Sequence, residues 1–441
     1  MVLQNPDLTK KLLPLIRKEF PRVESDGNGR QRVFFENAAG SLVLARAAEA
    51  EAKARIDYSA NVGGPSYESK MNDEVILRGR QDVRDLLHAP HEDCIVSGES
   101  ATSLLFQLSY AIGKELSGDG NIVTTDYEHY ANLSPWLELE RRRLVEEVRF
   151  AKFNPRDAML DISHLESMVD DETKIISVAG VSNVLGSKTP LNDVLRIARK
   201  TSAYTVLDAV HSVAHIPIDV QKTPFDFVVF SAYKLFSRRG SFMYGRKDLL
   251  ASLKPYKVLP APEAPPMNWE MGTRDQSLFA SISAVTDYLG WLGSNVQEVV
   301  EGKIGDYSGR ERLLKAALSW IEQYEQTLSL AMLEGTNNHE GLRSMDKVKV
   351  YGITDPAKVN LRVPTFTFNI EGADSFKVAE YLWNKHALAV LAENGGGFYS
   401  RTLKTYGESI AVRASPVHYN TVEEVGAFLH ALKDTVNHFC A

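Results

Sequence analysis

At 441 residues, 44% hydrophobic and 24% charged, the chain is long enough for two or more domains and has an ordinary globular composition. Its 50 lysines and arginines against 57 acidic residues leave a net charge of −7, which argues against a general nucleic-acid binder or a membrane-surface protein. Two cysteines, Cys94 and Cys440, exclude a disulfide framework and a cysteine-built zinc cluster and point to a reducing, cytoplasmic home.

The opening MVLQNPDLTKKLLPLIRKEF sets charges at helical spacing and predicts an amphipathic helix, not a signal peptide. No apolar stretch is long enough to span a bilayer. Cys94 falls on a strand leading into the loop SGESATS, where burial as filler is expected. From about residue 95 to 250, strand-like runs (NIVTTDYEH, TKIISVAGVSN, AYTVLDAVHS, FDFVVFSAYK, GSFMYGR) alternate with helical patterns such as NDVLRIARKTS, with Asn192 placed to cap. That alternation predicts an α/β fold on a doubly wound, mostly parallel sheet. The proline-rich stretch VLPAPEAPPMNWE marks a boundary near 258–270. Beyond it come a long helical stretch, the strands TFTFNI and SIAVRAS, and a closing helix opened by a capping box at Thr421 and Glu424. The expected layout is an N-terminal helix or arm (1–30) on the small-domain side, a large α/β domain (31–268), and an interdomain helix with a smaller α+β domain (269–441).

No G-x-x-x-x-G-K-[ST] and no G-x-G-x-x-G after a strand is present, which disfavours a kinase or a Rossmann oxidoreductase. Instead three strand ends carry chemistry: His129 in DYEHYAN, Asp208 and His211 in LDAVHS, and Lys234 in SAYK. A carboxylate after an apolar strand is costly unless it meets a cation. A protonated pyridine nitrogen is such a cation. Lys234 would then carry pyridoxal phosphate covalently, and a flat imidazole could stack on the ring. The bland readings are a helix cap for Asp208, a structural histidine at 129, a surface lysine, and a surface ion pair for Arg413.

Taken jointly, SNVLG (182–186), LDAVHS, SAYK and VRASPVHYNT (412–421) resemble the class V aminotransferase group of fold-type I pyridoxal-phosphate enzymes, and within it the cysteine desulfurases most. The match is collinear from FFENAAG (34–40) to the last helix. The resemblance implies a large domain on a mostly parallel seven-stranded sheet, a smaller α+β domain, pyridoxal 5′-phosphate, and a homodimer with shared active sites. It also implies roles. Lys234 would hold the cofactor and shuttle protons, and Asp208 would keep the pyridine nitrogen protonated. His211 would sit near the phenolic oxygen, and His129 would stack on the ring. Ser100, the Ala101 amide, Ser231 and Tyr233 would hold the phosphate, Tyr233 standing where desulfurases usually have histidine. Gly272 and Thr273 would reach the phosphate of the neighbouring subunit. Arg413, assisted by Asn183, would bind the substrate α-carboxylate. No metal is implied.

One departure bears on the reaction. Desulfurases need a nucleophilic thiol on the loop before the carboxylate-binding arginine, and here AENGGGFYSRTLKTYGESIAVRAS holds none. On that ground a cysteine desulfurase is disfavoured. In size and pattern the sequence is similar to the cysteine desulfurase-like aldolases of the fungal ustiloxin-pathway type, and the favoured expectation that this resemblance implies is a decarboxylative aldolase of secondary metabolism. It would join L-aspartate to an aldehyde co-substrate, giving a γ-hydroxy-α-amino acid and carbon dioxide, with Gly395–Gly397 as a lid or merely a flexible loop. A C–S lyase acting on cysteine conjugates, an epimerase and an aminotransferase are the alternatives. A degenerate, non-catalytic homologue is disfavoured because Lys234 and Asp208 are both present.

Overall fold

The computed structural model describes residues 5–394 and 400–440. Seven strands make the main sheet: β1 Ile95–Gly98, β2 Asn121–Thr125, β3 Glu147–Ala151, β4 Thr173–Ala179, β5 Tyr204–Asp208, β6 Phe227–Ser231 and β7 Ser241–Gly245. Their spatial order is β1-β7-β6-β5-β4-β2-β3. β7 runs antiparallel to both neighbours and every other pairing is parallel, as the alternation predicts. The continuous apolar run of β6 has a direct cause. Phe227 and Val229 enter one apolar cluster while Val228 and Phe230 enter another, so both faces of the strand are covered.

The N-terminal helix α1 (Pro6–Lys18) is capped by Asn5, whose side chain accepts from the Leu8 N–H. Helices α2 (Ala45–Asp57) and α3 (Tyr67–Leu87) follow, then α4 (Ala101–Gly113) directly after β1. The proline-rich stretch has little regular structure and delivers the chain to α5 (Gln276–Val296), which packs on α2, α3 and the long α6 (Gly309–Glu334). Gly79 of α3 permits that approach: a Cβ there would lie 2.6 Å from the Phe279 Cβ. The helix containing Asn192 spans Leu191–Ala198 and is capped by Pro190, with no side-chain cap. Asn192 is therefore an exposed residue inside the first turn, not the cap, because proline's fixed φ already commits the chain to the helix.

A second sheet is antiparallel throughout: β8 Val348–Tyr351, β9 Phe366–Ile370, β10 Leu391–Asn394 and β11 Ile410–Ala414, in the order β8-β9-β11-β10. The closing helix α7 (Val422–Phe439) carries the predicted capping box, with Thr421 and Glu424 satisfying each other's backbone N–H. Glu424 also pairs with Arg17 at 2.9 Å, tying the last helix to the first. Two hydrogen bonds tie the segment after β4 to the second sheet and its approach. The Val363 N–H donates to the Gly186 carbonyl and the Thr367 hydroxyl to the Val184 carbonyl, so SNVLG lies against the second sheet. Among the described residues no helix is long and apolar enough to cross a membrane.

Candidate active site

A cavity of about 630 Å³ opens where β4, β5 and β6 end and the second sheet approaches, the place where open α/β sheets bind ligands. Lys234 enters it from a short 3₁₀ turn, Ala232–Leu235, that follows β6. Its Nζ donates to the Ala38 carbonyl of the FFENAAG segment. Burial, reinforced by Arg413, lowers its pKa to about 7, against the opposing pull of Asp208 and Glu393. An amine in that range is a competent nucleophile at neutral pH.

Asp208 ends β5 and is only 5% exposed. One oxygen accepts the Val210 N–H at 2.8 Å, and among the described residues no cation pairs with it. Burial raises its pKa to about 6. His129 follows β2; its Nδ1 accepts from the Ala131 N–H at 3.0 Å, which leaves the proton of the neutral ring on Nε2. Burial, then Lys234 and Arg413, lower its pKa to about 4, so the ring is neutral. His211 bonds through Nε2 to the Thr365 hydroxyl at 2.9 Å, and burial holds its pKa well below the usual imidazole range. Its ring meets that of His215, which in turn pairs with buried Glu325 at 2.7 Å.

At the other end of the cavity α4 begins. Ser100 caps it in a reciprocal box with Ser103, and Ser100, Ala101 and Thr102 line the wall. Free first-turn N–H groups there make a ready anion site. Ser231 and Tyr233 line the same cavity. Arg413 on β11 donates to the Asn183 backbone carbonyl at 2.7 Å, so Asn183 holds the guanidinium through its main chain while its residue lines the cavity. Gly272 and Thr273 are exposed and do not line the cavity of their own chain.

Sequence reasoning missed several members. Glu128, next to His129, is buried and accepts from the Thr125 hydroxyl (2.6 Å), the Ala179 N–H (2.9 Å) and the Asn132 amide (2.7 Å). Burial raises its pKa to about 7, and Asp208 adds to the rise. Its position between a strand end and His129 was the available signal. Arg239, whose guanidinium lies 5.4 Å from the Tyr233 ring centroid, and Glu393 also line the cavity. Arg239 sits in no quoted motif, and Glu393 falls in the quoted stretch AENGGGFYSRTLKTYGESIAVRAS, where only the lack of a thiol was weighed. Cys94 is buried in a 3₁₀ turn just before β1, not on the strand itself, and burial pushes its thiol pKa up. Cys440 is exposed and lies against the Glu371 carbonyl. The glycines at 395–397 lie outside the described residues.

The model of the aminotransferase class-V family matches residues 33–301. The chain belongs to that family. Curated relatives match almost end to end. The cysteine desulfurase of Klebsiella pneumoniae (strain 342) is 28% identical over 95% of this chain and 97% of its own. That of Pectobacterium carotovorum is 26% identical over 95% and 96%. Among solved structures, the apo cysteine desulfurase from Thermococcus onnurineus NA1 superposes with a TM-score of 0.80 at 24% identity, covering 99% of this chain and all of the other. The Escherichia coli cysteine desulfurase CsdA gives 0.79 at 20%, covering 97% and 99%. The fold is thus fold-type I, and the family's cofactor is pyridoxal phosphate.

The cavity fits that cofactor on its own terms. A buried carboxylate without a cation, an amine held near neutrality, a flat neutral imidazole and a helix N-terminus match, in turn, a ring nitrogen, an aldehyde, a ring face and a phosphate. The comparisons also correct an expectation. A decarboxylative aldolase does not stand ahead of a cysteine desulfurase, because the relatives matching along the whole chain are named cysteine desulfurases. A single missing thiol is a local difference; the similarity runs through both sheets.

Proposed function

We propose that this class-V family member is a pyridoxal-phosphate enzyme that breaks the Cβ–S bond of cysteine or a cysteine S-conjugate. The observation that carries it is the convergence of Lys234, Asp208 and Arg413 on one cavity, in a chain whose curated relatives are named cysteine desulfurases.

Bound pyridoxal phosphate supplies an electron sink for the substrate's α-carbon. Arg413, oriented by the Asn183 carbonyl, takes the α-carboxylate in a two-pronged grip. Lys234, near neutral pKa, holds the cofactor and then removes and returns the proton at Cα. Asp208 would keep the ring nitrogen protonated, His129 would cover the ring face, and His211 would serve the ring oxygen. Ser100, Ala101, Ser231 and Tyr233 hold the phosphate, with Gly272 and Thr273 serving the site of a second copy in a homodimer. The sulfur leaves with the electron pair of the broken bond. No cysteine lies between Cys94 and Cys440, so no thiol of the loop after β10 takes the sulfur; it leaves as sulfide or thiolate and takes a proton from solvent, and the three-carbon remainder is hydrolysed to pyruvate and ammonia.

The test is turnover of L-cysteine and of an S-alkyl cysteine, with sulfide or thiol measured alongside pyruvate and ammonia. Sulfur release matched by a three-carbon product supports the reading. Absence of release from both substrates contradicts it.

A further inference from the structure

We propose that Glu393 sets the charge preference of the substrate pocket: it admits L-α-amino acids with neutral or cationic side chains and turns away those with a second negative charge. The proposal rests on the reading that the cavity binds an amino acid through Arg413.

The register of the second sheet places the group. Leu391 pairs with Arg413 and Glu393 with Ala411, so Leu391 and Glu393 share a face two residues apart, as Ala411 and Arg413 do. Leu391, Glu393 and Arg413 all line the cavity, while intervening Ala392 packs on the apolar core. Glu393 is half-buried, and among the described residues its side chain makes no hydrogen bond and no ion pair. Its electrostatic neighbour is Lys234.

Each other charge on the wall has a counterpart once cofactor and substrate are in place. Asp208 faces the ring nitrogen, and Arg413 takes the α-carboxylate. Arg239 precedes β7, whose Ser241 pairs with both Gly98 and Ser231; it therefore stands at the α4 end, where the phosphate binds. Lys234 ceases to be a free ammonium when it holds the cofactor. Glu393 remains, a carboxyl group that no cation pairs with among the described residues, on the strand beside Arg413. A substrate whose α-carboxylate is on Arg413 therefore extends its side chain into a region with that carboxylate. A thiol, thioether or amide can lie there, and a carboxylate is repelled.

The experiment uses the cofactor-loaded protein and two isosteric probes, L-asparagine and L-aspartate, with apparent dissociation constants read from the change in cofactor absorbance. Wild type should bind L-aspartate at least about tenfold more weakly than L-asparagine at neutral pH, the order expected for like charges a few ångströms apart in a partly wet site. Glu393→Gln should bring the two within roughly threefold of each other, and Glu393→Asp, which keeps the charge, should preserve most of the gap. A wild-type preference for L-aspartate, equal binding, or an unchanged ratio in Glu393→Gln overturns the assignment. If no amino acid, L-cysteine included, alters the absorbance, the reading of the site as an amino-acid pocket fails with it.

Discussion

Asp208 carries a stability cost that its proposed role at the cofactor would explain. It is a buried carboxylate with which no cation pairs among the described residues, its pKa raised to about 6 by burial. Because the folded state holds the proton more tightly than the unfolded chain, stability falls as pH rises from about 4 to 6, and the full cost, about 2–3 kcal/mol, is present above that window. Cofactor-free Asp208→Asn should therefore be more stable than wild type at pH 7.5 by up to about that amount, and the gain should vanish near pH 4. Urea unfolding at the two pH values checks this; equal stability at pH 7.5 would contradict the burial argument. Glu128 behaves differently, because three donors satisfy it. Glu128→Ala leaves the Ala179 N–H and the Asn132 amide unpaired and should cost about 2–4 kcal/mol. In Glu128→Gln an amide flip at Asn132, whose oxygen now accepts from Ser177, can rebuild the network, so the expected loss is about 1 kcal/mol or less. Equal losses in the two variants would show that the charge, not the hydrogen bonding, matters there.

At the scale of elements, local signals and long-range ones separate cleanly. The capping box of α7 was legible because both partners lie within four residues, and Thr421→Ala should lower stability by about 1 kcal/mol. The neighbouring inference at Asn192 failed because Pro190 fixes the helix start; Asn192→Ala should cost less than about 0.5 kcal/mol by thermal or chemical unfolding. The strand ends bearing His129, Asp208 and Lys234 were legible for a similar reason: a solid apolar run terminated by a polar residue fixes both the strand and the rim of the sheet. Glu393, Arg239 and the Ala38 carbonyl were not legible. They reach the cavity through the β10–β11 register, the start of an antiparallel β7, and a loop some two hundred residues before Lys234, none of which any local pattern encodes.

For the whole molecule, the same contrast explains the misjudged reaction. The loop before Arg413 lacks a cysteine, but the resemblance to relatives named cysteine desulfurases extends through both sheets. A feature of the surface bears on assembly. Val258, Leu259, Met267 and Met271 are exposed along the segment that leads to Gly272, with Leu259 97% exposed. The segment is firmly anchored from within: Glu270 pairs with buried Arg80 at 2.5 Å and accepts from both the Ser97 N–H and hydroxyl. An apolar, well-anchored strip beside the turn at Gly272 suits a contact between two copies. Sedimentation should give a dimer, and Leu259→Lys should shift it toward monomer with loss of bound cofactor; a fully loaded, active monomer would contradict the shared-site proposal.

Everything proposed for the site depends on Lys234 carrying the cofactor and yielding it to an amino acid, which borohydride reduction of the purified protein followed by peptide mapping can decide. The pyridoxyl label is expected on the peptide containing Lys234, and it should be lost from that peptide when excess L-cysteine is added before the reductant. A label on another lysine, or one on Lys234 that no amino acid displaces, would contradict it.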